Sequence, residues 1–286
     1  MTDKKTYKTI ISVDELAEHL HDTNWVILDA RFTLDDENWG QNQYLAGHIS
    51  GAHYANLATD LSGTVIPGHT GRRPLPPIEV FTNTLSQWGI GPDTQVVVYD
   101  ASGGLMAASR TWWMLRWLGH DAVAVLDGGW PLWLASGNST DTEVPTPTPA
   151  AFVAKERPDF IATVAQVDNV RQNPEWAVFD SRSEAGFHGG GVYHDPVRGH
   201  IQGARLADRA NTLDSDGRFR TPQALRQHYT DLLGDVPIEQ TIFYCGSGVT
   251  AAQNLLAVVH AGLGDAKHYV GSWSEWITDP SRPVEL

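Results

Sequence analysis

The chain has a single cysteine, Cys245, in 286 residues. An internal disulfide is therefore impossible, and the fold has to stand on its core. No run approaches the roughly 20 apolar residues of a membrane span. The opening stretch MTDKKTYKTI also lacks the apolar segment of a secretory leader. These absences lead us to expect a reducing, cytoplasmic setting and no membrane partner. Basic residues are scarce too: 20 Lys and Arg face 34 Asp and Glu, for a formal net charge of −14. Nucleic acid and anionic membranes are gripped by basic surface, so neither is expected as a partner. The acidic excess reads as solubility. The 12 histidines form no H-E-x-x-H motif, and one cysteine cannot build a thiolate cage. No metal and no other cofactor is expected.

Apolar material is plentiful, at 41% of residues with 11 Trp, and suffices for two cores. The sequence also repeats itself. VILDAR (Val26 to Arg31) returns as AVFDSR (Ala177 to Arg182), and GHISGA (Gly47 to Ala52) as GHIQGA (Gly199 to Ala204). VVVYDASGG (Val96 to Gly104) returns as TIFYCGSGV (Thr241 to Val249), and GGWPLW (Gly128 to Trp133) as GSWSEW (Gly271 to Trp276). Similar segments in one order mean two copies of one domain. The copies are assigned to 8–137 and 159–286, joined by a polar, Pro- and Thr-rich linker over 138–158 that favours extended backbone. The spacing between copies shortens after the second match, so the first copy carries extra residues between Ala52 and Val96. They include DLSGTVIPGHTGRRPLPP (Asp60 to Pro77), a Gly- and Pro-rich loop. Long loops of this kind are often functional.

Within each copy, short β-branched runs alternate with helical patterns. In the second, a helix opens at Thr163, WAVFD is a strand, and a helix runs from N-cap Thr221 and Pro222 to Gly234. QTIFYC is a buried strand, followed by the helix TAAQNLLAVVHAGLG. The first copy offers VVVYD, LMAASRTWWMLRWLG and AVAVLD in turn. The expected class is α/β, with a mainly parallel sheet in each copy and helices on both faces.

Cys245 therefore ends a strand, and a helix begins a few residues on. Ligands of α/β sheets bind beyond the carboxyl ends of strands. Gly246 and Gly248 permit a tight loop with inward N–H groups, and such a nest before a helix N-terminus favours an anion. A thiolate placed there is nucleophilic at neutral pH. Ser247 and Thr250 add hydroxyls, Val249 completes the loop, and no Lys or Arg stands within it, so dipoles must do the stabilising. The simpler reading is a buried cysteine packing as a small hydrophobe. The G-x-G spacing in a strand–loop–helix setting favours the nucleophile. Asp100 occupies the aligned position in the first copy, so that copy keeps the scaffold without the sulfur. His48 and His200 are twins in both copies and read as structural. Trp112, Trp113, Trp130 and Trp133 read as core packing.

The loop CGSGVT, together with DSR, GHIQGA, GHDAVAVLDGGW and GSWSEW, resembles the tandem-domain rhodanese family over about Ile11 to Trp276. Within it, the loop is most similar to the 3-mercaptopyruvate sulfurtransferase branch; the thiosulfate branch reads Cys-Arg-Lys-Gly-Val-Thr there. The resemblance implies that Cys245 takes sulfur from a small-molecule donor as a persulfide. It then passes the sulfur to cyanide, a small thiol or thioredoxin. The resemblance also implies a site between the two copies, with a Ser–His–Asp set matched here by Ser247, His69 and Asp60. The family's substrate-binding arginine shortly after D-S-R is missing: the stretch reads GFHG, Gly186 to Gly189. Possible replacements are Arg182, His188, His194, Arg198 and Arg205, or Arg72 and Arg73, because a carboxylate favours a bidentate cation. Arg182 has a twin in Arg31, which points to bracing; His188 and His194 have none.

Three other readings stand beside this one. Thiosulfate, a dianion, would prefer a basic loop, yet the missing arginine keeps it in play as donor. A phosphatase would need an arginine closing the loop, where Ala251 stands. A non-catalytic binding module would leave Cys245 unreactive.

Overall fold

The computed structural model describes residues 5–104, 106–190 and 194–286. By internal contacts the chain forms two compact units. Unit 1 comprises Met1–Ser62, Pro76–Arg157 and Asp216–Arg218; unit 2 comprises Gly63–Leu75, Pro158–Ser215 and Phe219–Leu286.

Unit 1 runs β1 (Ile10–Ile11), α1 (Val13–Glu18), β2 (Trp25–Asp29), α2 (Trp39–Ala46), β3 (His48–Ile49), β4 (His53–Tyr54) and α3 (Ile78–Gln87). It continues with β5 (Gln95–Tyr99), α4 (Ala107–Trp117), β6 (Val123–Leu126), α5 (Gly129–Ala135) and β7 (Thr140–Asp141). The main sheet has the order β1-β6-β5-β2-β4, and every pairing in it is parallel. Every residue of β5 and β6 is buried, as expected of strands covered on both faces. Every residue of α4 is buried as well, its two arginines included, and Arg110 Nη2 donates to the Leu61 carbonyl at 2.9 Å. Trp112, Trp113 and Trp133 are core residues. Part of the expected linker is ordered, because β7 pairs antiparallel with β3.

Unit 2 runs α6 (Val164–Val170), β8 (Ala177–Asp180), α7 (Glu184–Phe187), β9 (His200–Ile201), β10 (Arg205–Leu206) and α8 (Pro222–Leu233). It ends with β11 (Thr241–Tyr244), α9 (Ala251–His260), β12 (Lys267–His268), α10 (Ser272–Trp276) and β13 (Val284–Glu285). The sheet order is β10-β8-β11-β12, all parallel. The Thr163 and Thr221 hydroxyls cap α6 and α8, Pro222 opens α8, and Gly234 closes it. A core of Val178, Ile242, Tyr244, Tyr269, Trp273 and Trp276 lies on one face of the sheet. Burying each such side chain contributes about 1.5–3 kcal/mol.

The same wiring holds both units. In unit 1 the Arg31 guanidinium grips Asp29 (Nη2 to Oδ2 2.6 Å) and donates to the Gly47 carbonyl at 2.6 Å. In unit 2 Arg182 grips Asp180 (2.6 Å) and donates to the Gly199 carbonyl at 2.7 Å. The Ile49 N–H bonds the Tyr99 hydroxyl at 3.1 Å, and the Ile201 N–H bonds the Tyr244 hydroxyl at 3.1 Å. His48 and His200 are buried, each holding a backbone carbonyl and stacking on an aromatic ring, as their twinning suggested. These braces fix the strand ends from which the loops of interest depart.

Candidate active site

Cys245 follows β11 directly, and its side chain is buried in unit 2 at 1% exposure. Burial alone would push the thiol up. Three donors turn the balance and hold it below its usual value: the Thr250 hydroxyl and the backbone N–H groups of Ser247 and Ala251. The negative charge of Asp180 opposes them more weakly. Thr250 is the N-cap of α9, yet its side chain makes no cap hydrogen bond. The hydroxyl and the N–H of the first helical residue, Ala251, both favour the ionised thiol. The thiol thus lies shortly before a 10-residue helix, whose N-terminal field also favours an anion.

The loop is held from both sides. Gly248 lies at φ 75°, and a β-carbon there would run into the Val270 carbonyl, so only glycine fits. The first turn of α10 supplies the other brace. The Trp273 N–H bonds the Cys245 carbonyl at 3.0 Å, and the Ser274 N–H bonds the Gly246 carbonyl at 2.9 Å. The Cys245 N–H donates to Ser272 Oγ at 3.1 Å. Ser247 itself is buried.

Two arginine side chains approach the loop at Gly246, Arg72 with its guanidinium and Arg182 with its stem. A β-carbon on Gly246 would meet Arg72 Nη2 at 3.4 Å and Arg182 Cδ at 4.0 Å. Arg72 belongs to the segment Gly63–Leu75 and packs within unit 2. Its Nε and Nη2 take both oxygens of Asp195, at 2.9 and 3.0 Å, and its N–H bonds Ser274 Oγ at 3.0 Å. Arg182 stacks on Trp273 with 5.1 Å from Cζ to the ring centre. Its side chain is 16% exposed against 2% for its twin Arg31. Among the described residues its Nη1 makes no hydrogen bond. Arg182 therefore braces the scaffold, as its twin predicts, and still shows one donor face.

His69 is exposed on the loop, with its backbone N–H on the Ile66 carbonyl; no hydrogen bond among the described residues joins its ring to Ser247. Asp60 is partly buried in unit 1, where its carboxylate accepts the Asn56 N–H (2.8 Å) and the Thr59 hydroxyl (3.1 Å). His188 is exposed beside Phe187 and follows α7 as its C-cap. His194 and Arg198 are exposed, and Arg73 is partly buried. Arg205 is exposed and lies over the Phe179 ring at 4.5 Å.

Unit 1 shows what its own version of the loop does. Asp100 follows β5 as Cys245 follows β11, and it is buried. Its carboxylate accepts the N–H groups of Ser102 (2.8 Å), Gly104 (2.9 Å), Met106 (3.1 Å) and Ala108 (3.3 Å). Burial raises its pKa, and the four N–H groups work against that rise. The nest in unit 1 is occupied by the chain's own carboxylate. That filling, the Arg72–Asp195 pair and the Ser272 contact were not read from the sequence. Asp100 had a signal in its alignment with Cys245. Arg72 and Asp195 lie 123 residues apart and had none.

The family model described as Rhodanese-like domain matches residues 12–136 and 163–279. The chain belongs to that family, with two copies of the domain, and its class of chemistry is sulfur transfer. It is 41% identical over 276 residues to a probable 3-mercaptopyruvate sulfurtransferase of Pseudomonas aeruginosa, covering 96% of this chain and 97% of that one. It is 32% identical to the thiosulfate sulfurtransferase of Rattus norvegicus, covering 96% of this chain and 94% of that one. Among solved structures, the 3-mercaptopyruvate sulfurtransferase from Leishmania major superposes with a TM-score of 0.82 at 30% identity. That match covers 94% of this chain and 74% of that one.

Proposed function

We propose that the chain moves sulfur from 3-mercaptopyruvate through a persulfide on Cys245. The observation that carries this reading is the thiol at the α9 N-terminus, held low by Thr250, Ser247 and Ala251. A thiolate at that position attacks the donor's sulfur. The S–S bond forms as the donor's C–S bond breaks, the electron pair leaves with the carbon as the enolate of pyruvate, and the enolate takes a proton. The loop N–H groups that hold Sγ stabilise the charge that returns there in the second step, when an acceptor thiolate or cyanide removes the outer sulfur. The donor's carboxylate lies against Arg182 Nη1, with Arg72 beside it, in place of the arginine missing from GFHG. Small thiols, thioredoxin and cyanide are the acceptors this chemistry admits, and a cytoplasmic setting suits a reactive thiol.

Thiosulfate is the second reading. The Arg72 guanidinium and the Arg182 side chain near Gly246 suit a dianion, although the loop itself carries no basic side chain. The test is kcat/KM with each donor and cyanide as acceptor, with Cys245→Ser as blank. A preference for 3-mercaptopyruvate supports the proposal, and a preference for thiosulfate replaces its donor. Transfer that survives in Cys245→Ser removes the nucleophile. A thiol that alkylates no faster than a free cysteine points instead to a binding module.

A further inference from the structure

Among the described residues, Ser272 is the only non-glycine residue with positive φ, at 55°. Left-handed backbone costs a residue with a β-carbon and persists where the surroundings hold it. The repeat supplies the comparison. The aligned residue in unit 1 is Gly129, also at φ 55°. Both positions do the same backbone work: the Trp130 N–H bonds the Asp100 carbonyl at 2.9 Å, and the Trp273 N–H bonds the Cys245 carbonyl at 3.0 Å. In unit 1 a β-carbon at Gly129 would run into that Asp100 carbonyl. Unit 2 makes room for one and bears the strained backbone.

The hydroxyl explains what unit 2 gains. Ser272 Oγ donates to the Tyr269 carbonyl at 2.9 Å and keeps a lone pair for the Cys245 N–H. It accepts the Cys245 N–H at 3.1 Å and stands 4.0 Å from Sγ. We infer that Ser272 is a positioning residue for the sulfur-transfer step: it anchors the Cys245 N–H and so aims the Cα–Cβ bond into the nest formed by Ser247, Thr250 and Ala251. This inference rests on the proposed role of Cys245.

The test compares Ser272→Gly and Ser272→Ala with the parent, with Cys245→Ser alongside. Glycine accepts the backbone without strain, as Gly129 does, and that relief offsets the lost hydroxyl bonds, so Ser272→Gly is expected to keep its far-ultraviolet circular dichroism and a Tm close to the parent's. Its kcat should fall about tenfold, the worth of one such hydrogen bond, with the donor KM within about twofold. The pH profile of iodoacetamide alkylation should shift to higher pH, because Sγ no longer sits squarely on its donors. Ser272→Ala should show the same kinetic change. If Ser272→Gly keeps the parent kcat and pH profile while Cys245→Ser is inert, the inference fails and the nucleophile stands. A lower Tm with unchanged kcat assigns Ser272 to the scaffold and also overturns it. Transfer by Cys245→Ser overturns the reading beneath it.

Discussion

Thr250 holds the N-cap of α9 without capping it, and its hydroxyl serves the sulfur. The sequence offered the hydroxyls of Ser247 and Thr250, with backbone dipoles, to stabilise a thiolate in a loop without Lys or Arg. Of these the Thr250 hydroxyl contributes most, ahead of either N–H, against the opposing effect of burial. The sign of the pH dependence follows. A thiol held below its usual value stays ionised as pH falls past the ordinary thiol range near 8.5, and reactivity is lost only as pH drops through the lowered value. Thr250→Val should move that loss to higher pH and slow alkylation at neutral pH by about tenfold. The helix should persist, because no cap bond is lost. Stopped-flow alkylation across pH, beside circular dichroism, reads both.

At the scale of elements, the strand–loop–helix units around Cys245 and Asp100 are one design with two fillings. The elements were legible in the sequence because β5, β8 and β11 are apolar runs bounded by turn residues, and α6 and α8 open on capping threonines. The loop conformations were less so. Gly248 advertises positive φ, whereas Ser272 does not, and only its alignment with Gly129 carries the hint. Asp100 also yields a prediction on stability. Asp100→Ala would leave four N–H groups in a buried nest without their acceptor. Denaturant unfolding should show a loss of about 3 kcal/mol or more. Alkylation of Cys245 in the folded variant should keep the parent pH profile. An unchanged midpoint of unfolding would mean that water serves the nest as well as the carboxylate does.

At the scale of the molecule, the repeats announced two copies of one domain. They did not announce that Gly63–Leu75, read as an insert of the first copy, would pack with unit 2. Its anchor is a pair 123 residues apart in sequence, Arg72 with Asp195, and local pattern cannot reach that far. Asp195 is largely buried and holds the guanidinium at both nitrogens. Asp195→Asn should therefore loosen the segment, so that trypsin cuts after Arg72 faster than in the parent while the rest of the chain resists. Equal cutting rates would show that backbone contacts hold the segment by themselves.

The filled nest of unit 1 bears on how such a chain could arise. After a duplication, one nucleophile can be discarded only by a substitution that the fold survives at once. Loss to alanine would leave the inward N–H groups unserved, whereas aspartate answers them in the same stroke that ends the sulfur chemistry. Unit 1 thus carries a lasting plug where unit 2 carries the proposed nucleophile, and a cysteine placed at that position would have to displace a carboxylate that the fold now depends on.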